Sequence, residues 1–116
     1  MINMIIKNVE NIEVPFIWYD GEKDLIIPEY LFYYQNKLCG GFSFNKSTCM
    51  FHQVCIFPSL WNQGLGTQMM KEAVAFIPGP LYLKTSNKIA YHIYKEIGFR
   101  TEFVSNGSWN MKYERK

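Results

Sequence analysis

The sequence has no run of apolar residues approaching the ~18 that a membrane-spanning helix needs. Nor has it a basic run of five or more residues. The first absence predicts no membrane segment. The second argues against a nucleic-acid partner, because 12 Lys+Arg against 10 Asp+Glu leave a net charge of only +2 and no basic footprint. Residues 1–11 lack both a long apolar stretch and a small-residue cleavage site, so the start does not read as a signal peptide. Cysteine is sparse: Cys39, Cys49 and Cys55 are odd in number and lack a disulfide-framework spacing. They predict reduced thiols and a cytoplasmic setting. Internal repeats and low-complexity stretches are missing too.

What remains is the composition of a folded protein. Of 116 residues, 48% are hydrophobic and 19% charged, which predicts one domain over 1–116 with a single core. Aromatic residues reach 17%. In so short a chain they serve as core, as the lining of a cleft, or as an oligomer surface. Lys112, Arg115 and Lys116, interrupted by Tyr113 and Glu114, read as a solvated tail.

Cys49-x-x-His52-x-x-Cys55 has the look of a metal cluster. The segment reads as a strand, however, and alternation would turn Cys49 and Cys55 to one face and His52 to the other. No metal is expected.

Along the chain, residues 4–6 and 16–19 are candidate strands, with a turn at Asp20-Gly21. Tyr30–Tyr34 is rich in aromatic strand formers, and Gln35-Asn36-Lys37 has turn chemistry, so 38–45 reads as the returning strand of a hairpin. Gly40-Gly41 within it marks a bulge or the close approach of another backbone. After a turn at 46–48, residues 49–57 form a third strand, ended by Pro58. The periodicity then becomes helical: Leu65, Met69, Ala73 and Phe76, with Met70, Val74 and Ile77, form a wide apolar face. Pro78-Gly79-Pro80 stops that helix, and 81–85 is a short strand. Ser86 or Asn87 caps a second helix that buries Ile89, Ala90, Ile93 and Ile97, and Gly98 followed by Phe99 ends it. Asn106-Gly107 closes a last hairpin between 100–104 and 109–113. The expected fold class is α/β (α+β): a mixed, mostly antiparallel twisted sheet with a βαβ crossover and two main helices.

The loop Trp61-Asn62-Gln63-Gly64-Leu65-Gly66-Thr67 joins a strand to a helix. Its glycines let backbone approach a ligand, and the first helical turn offers unpaired N–H groups with partial positive charge. A pyrophosphate fits there without lysine. The glycines alone are equally consistent with a tight turn. The loop matches neither the Walker pattern, lacking Lys-Ser/Thr, nor the Rossmann pattern, lacking a third glycine.

Val54-Cys55-Ile56-Phe57-Pro58, then Gly64-Leu65-Gly66, then Asn87-x-x-Ala90-x-x-x-Tyr94-x-x-x-Gly98-Phe99 resemble the GNAT superfamily of N-acetyltransferases. The resemblance runs from about Tyr30 to the end, where Met111-Lys112 is similar to the last strand of many members. It implies acetyl-CoA as cosubstrate. It also implies that the strand ending at Pro58 splays from the one beginning at Leu81, with the pantetheine arm in the gap on the backbone of Val54, Cys55, Ile56 and Phe57. The pyrophosphate would lie on the amides of Gln63, Gly64, Leu65, Gly66 and Thr67, Asn87 would touch the arm, and Tyr94 would lie near the thioester sulfur. Physical chemistry agrees with such roles. An alkyl amine, with a pKa of about 10, must lose a proton before attack. The resulting oxyanion needs an N–H, for which one near Ile56 would serve. The departing thiolate needs a proton, which a neutral tyrosine can give. Tyr94 lies seven residues, about two turns, beyond Asn87 and so on its face. A packing tyrosine is the plainer alternative.

The general base is open. His52 aligns, by resemblance to the arylalkylamine N-acetyltransferases, with a position that can take a proton. It is equally consistent with a strand histidine that has no task. Tyr82 stands where bacterial protein-N-terminal acetyltransferases often carry Glu. Two features depart from the family: Trp61 replaces its usual Arg or Gln, and residues 11–29 leave little room for the helices that commonly wall the acceptor. The acceptor site is therefore either open or completed by a second subunit, as in a homodimer. The activity expected is acetyl transfer to a primary amine of a small molecule or peptide. The alternatives are an acetyl-CoA-binding module without turnover and an interaction domain assembling through Tyr30–Tyr34.

Overall fold

The computed structural model describes residues 3–18 and 21–114. The elements follow in the order β1 (Met4–Lys7), β2 (Val14–Ile17), β3 (Lys23–Ile26), β4 (Tyr30–Tyr34), β5 (Lys37–Asn45), β6 (Met50–Ile56), α1 (Leu65–Phe76), β7 (Leu81–Thr85), α2 (Lys88–Ile97), β8 (Arg100–Ser105) and β9 (Ser108–Tyr113). Seven strands form one sheet in the order β1-β4-β5-β6-β7-β9-β8, while β2 and β3 pair with each other. Every neighbouring pair is antiparallel except β6 and β7, which are parallel. This is the mixed sheet and the βαβ unit that the sequence predicts.

The hairpins arise from local chemistry. Gln35 and Asn36 are both left-handed (φ 52° and 65°), as are Asn106 and Gly107 (φ 50° and 75°). Two such residues make a turn whose twist matches that of the strands it joins. The N-terminal part departs from expectation. The second strand starts earlier, at Val14, and Tyr19 and Asp20 lie outside the described residues. A third strand, β3, was not foreseen because Lys23 and Asp24 give it no apolar alternation. The bend between them is closed by Trp18 N–H to Glu22 O and Gly21 N–H to Trp18 O, both 2.8 Å. Lys112 belongs to β9 rather than to a tail. Its Nζ lies 2.9 Å from Glu114 Oε1 and 5.5 Å from the centre of the Tyr82 ring. Arg115 and Lys116 lie outside the described residues.

Two apolar clusters cover the two faces of the sheet. On one, Leu65, Met69, Met70, Ala73 and Val74 of α1 and Tyr94 of α2 pack against Phe32, Phe42, Phe51, Leu83 and Met111. A side chain such as Met69 or Phe42, with no exposed surface, contributes about 2 kcal/mol by leaving water. On the other face, Val14 and Ile26 of the β2–β3 hairpin lie on Leu31, with Tyr33, Leu38, Cys55 and Phe57 around them. This hairpin fills the stretch judged too short for helices. Buried Asn8 fixes its entry: Nδ2 donates to Ile12 O (3.0 Å) and Pro28 O (2.8 Å), and Oδ1 accepts from Ile12 N–H (2.9 Å).

Two expected core residues lie outside. Phe76 is 51% exposed, and its ring meets Tyr30 edge-on at 5.7 Å. Ile89 is 68% exposed. At 100° per residue it sits about 140° around α2 from Tyr94, the residue the helix buries.

Gly40 and Gly41 answer to close approach. A Cβ on Gly40 would collide with the carbonyl oxygen of Cys55, and one on Gly41 with that of Tyr30. The glycines let β4, β5 and β6 come together at the base of the candidate site.

Candidate active site

Strands β6 and β7 are in register at one pair only, Met50 with Tyr82, where Tyr82 N–H donates to Cys49 O over 2.8 Å. Beyond it the ladder stops, although β6 continues to Ile56 and β7 to Thr85. The strands thus open like a V toward their C-terminal ends.

A bulge in β6 decides what faces the opening. In the pairing with β5, Gly41 opposes Cys55 and Ser43 opposes His52, so β6 carries one extra residue there. Gln53 takes it up in a left-handed conformation, φ 50°. Bulges of this kind reverse the alternation of side chains beyond them. Phe51, Val54 and Ile56 accordingly belong to the helix-side cluster, while Cys55 and Phe57 belong to the opposite one. The expected sharing of one face by Cys49 and Cys55 is therefore overturned. Cys49 packs with the helix-side cluster and Cys55 on the other, with the bulge between them. Among the described residues no three His, Cys, Asp or Glu side chains gather.

The backbone beyond the bulge points in alternate directions. Phe57 N–H donates to Cys39 O on β5 at 2.8 Å. Its peptide N–H is thus engaged within the sheet. Ile56, one residue earlier, turns its N–H and carbonyl the other way, into the V, and Val54 shares that direction. Of the four strand residues expected to meet a pantetheine arm, Val54 and Ile56 offer peptide groups to the gap, and Cys55 and Phe57 offer theirs to β5. Burial pushes the Cys55 thiol up to about 11, partly offset by a hydrogen bond with the Gly41 backbone. It stays protonated at neutral pH and is no nucleophile.

At the mouth of the V, a 3-10 turn (Pro58–Leu60) leads to Trp61, whose Nε1 donates to Ile56 O over 2.8 Å. Asn62 and Gly64 are left-handed (φ 65° and 75°) and swing the chain into α1. No side chain caps that helix, and its first turn holds no acidic residue. Gln68 N–H reaches Gly64 O at 3.1 Å. The amides of Leu65, Gly66 and Thr67 precede that first helical bond and point out of the helix end. A Cβ on Gly64 would meet nothing within 4 Å. With no lysine or arginine from 57 to 67, these amides and the helix dipole are what the loop offers an anion.

Asn87 is the cap of α2, in extended conformation, with Oδ1 accepting Ala90 N–H at 3.0 Å. Being outside the helix, it does not share the phase relation to Tyr94 that a spacing of seven implies. Its Nδ2 is what remains for a ligand. Tyr94 is 8% exposed in the helix-side cluster, its ring 5.9 Å from that of Phe99. Burial pushes its hydroxyl up to about 12. The hydroxyl therefore keeps its proton at any working pH. It is also a weaker acid than a free tyrosine, better suited to hydrogen-bond a developing thiolate than to surrender the proton outright.

The structure brings Val54, Ile56, Leu65 and Tyr94 into one cluster. His52, next to inward-facing Phe51 and ahead of the bulge, is exposed on the opposite face. It does not join Tyr94. Sequence reasoning missed Gln53, because nothing in a lone glutamine signals a left-handed bulge. It flagged Trp61 as a departure but not as a hydrogen-bond donor to the strand.

The pattern of the acetyltransferase (GNAT) family matches residues 7–99. No curated protein matches the sequence at a significant level. Similar solved structures include PH1933 of Pyrococcus horikoshii OT3 (TM-score 0.60, 16% identity), covering 75% of this chain, which spans 64% of that protein. The PaiA N-acetyltransferase of Thermoplasma acidophilum, in complex with coenzyme A, has a TM-score of 0.57 at 13% identity; 74% of this chain aligns with 59% of it. IAA acetyltransferase of Bacillus cereus ATCC 14579 has a TM-score of 0.55 at 16% identity, with 74% of this chain on 76% of that one. At these identities the likeness is one of fold. The family match covers most of the chain, and the chain belongs to the acetyltransferase (GNAT) family.

Proposed function

We propose that this domain transfers the acetyl group of acetyl-CoA to a primary amine of a small molecule or peptide. The observation that carries the reading is the V between β6 and β7, with the N–H of Ile56 turned into it and the uncapped end of α1 after it. The pyrophosphate lies on the amides of Leu65, Gly66 and Thr67, with Gln63 and Gly64 shaping the approach. The pantetheine arm runs along Val54 and Ile56, with the Asn87 amide as a further donor. A deprotonated amine attacks the thioester carbon, the oxyanion takes a hydrogen bond from Ile56 N–H, and the C–S bond breaks. Tyr94 hydrogen-bonds the departing sulfur, and the proton lost by the amine ends on CoA. Because the Cys55 thiol stays protonated, direct attack is favoured over an acetyl-cysteine intermediate. That the Thermoplasma acidophilum protein is an N-acetyltransferase crystallised with CoA supports the choice of cosubstrate. His52, on the other face, serves as base only if the acceptor approaches from that side.

The test is acetyl-CoA binding by calorimetry, followed by thiol release with a panel of amines and peptides. Tyr94→Phe should lower turnover by about 10²-fold, the scale for losing one hydrogen-bond donor to charge that develops in the transition state, while leaving CoA affinity unchanged. Unaltered turnover would remove Tyr94 from the mechanism. A second reading, a CoA-binding module without turnover, is favoured by the separation of His52 from Tyr94 across the sheet. It predicts tight binding and no thiol release with any acceptor.

A further inference from the structure

The hydrogen bond from Trp61 Nε1 to Ile56 O spans 2.8 Å at the open end of the V. The chain folds back to make it. Leu60 N–H donates to Phe57 O (2.8 Å) and Trp61 N–H to Pro58 O (3.2 Å), which returns the indole to the strand it has just left. Trp61 remains 50% exposed, so burial of the ring does not account for its position. The carbonyl it engages faces the gap, because the peptide of Phe57 is turned to β5.

We propose that Trp61 is a latch on the pantetheine site: in the free protein its indole holds the Ile56 carbonyl, and an incoming pantetheine amide displaces it. The inference rests on the reading of the V as a CoA site. The arm carries amide N–H groups that lose water on entering the gap and need acceptors there. A strand carbonyl turned outward is such an acceptor, as when an extended peptide adds to a sheet edge. Binding then exchanges one N–H···O bond for another. The latch weakens CoA binding by its own strength, and it moves the indole from the strand into water when CoA enters.

Trp61→Phe keeps an aromatic ring and removes the donor. Calorimetry should show this variant binding CoA about 2–10-fold tighter than the unaltered protein, the range that one net hydrogen bond spans. In the unaltered protein, the indole N–H resonance that the substitution removes should shift on saturation with CoA. The resonances of Trp18 and Trp109 provide the comparison. If the unaltered protein binds CoA while the variant binds equally or more weakly, or if the Trp61 resonance does not move, the latch is wrong and the CoA reading stands. If neither protein binds CoA, both fall.

Discussion

Single side chains fix this molecule at points where packing alone would not. Asn8 is the buried polar residue that ties the chain at Ile12 to the chain at Pro28. Asn8→Ala leaves the Ile12 N–H and two carbonyls short of partners and should cost about 1–3 kcal/mol in denaturant unfolding. The glycines divide by surroundings. Gly40→Ala places a Cβ against the carbonyl of Cys55, a backbone atom that cannot swing aside, and should cost ~3 kcal/mol or more. Gly64→Ala meets open space but keeps φ 75°, a left-handed strain of about 1–2 kcal/mol. Comparison of the two by chemical denaturation checks the division: equal losses would mean that close approach is not what Gly40 provides. Gly40-Gly41 could be read from the sequence because adjacent glycines in a strand have few explanations. The task of Asn8 could not, because its partners lie up to twenty residues away.

At the scale of elements, strong local patterns were legible. The aromatic β4, the apolar face of α1 and the Asn-Gly turn before β9 each follow from neighbours in sequence. Elements set by tertiary contact were not. β3 opens on two charged residues and buries only Ile26, so it shows no apolar alternation and exists because β2 pairs with it, and Ile89 looks apolar enough for a core that α2 turns away from it. The bulge in β6 matters most, because it decides which peptide groups enter the V. Strand alternation read through residue 53 assigns Cys55 to the face of Cys49, and the left-handed Gln53 reverses this. The candidate site was therefore legible as a set of segments, while the division of 54–57 between the gap and β5 was not. Gln53→Val puts a β-branched residue at φ 50°. It should cost about 1–3 kcal/mol of stability. Because the strain is relieved by straightening the strand, it should also weaken CoA binding. Loss of stability with CoA affinity intact would show that the bulge can be kept without aiming Ile56.

The whole molecule is a sheet with an apolar layer on each face, and in each layer burial makes a titratable group hold its proton more tightly. Tyr94 lies in the helix-side layer, its hydroxyl raised from 10.0 to about 12, and Cys55 lies against the hairpin-side layer, its thiol raised from 9.0 to about 11. In both cases burial penalises the anion, so as pH rises the unfolded chain loses the proton first. Stability from each group is fully present below its unfolded value and is lost as pH climbs toward its folded value. Cys55 therefore acts between pH 9.0 and about 11, and Tyr94 between 10.0 and about 12. For shifts of this size the loss from each group amounts to about 2–3 kcal/mol. Unfolding free energies measured from pH 8 to 12 should be level at first and then fall in two overlapping steps. Cys55→Ala should remove the earlier step and Tyr94→Phe the later one. The two groups sit on opposite faces of the sheet, so the double variant should show the sum of the two corrections. If Tyr94→Phe declines above pH 10 as steeply as the unaltered protein, the hydroxyl is not buried in the way the role proposed for it requires.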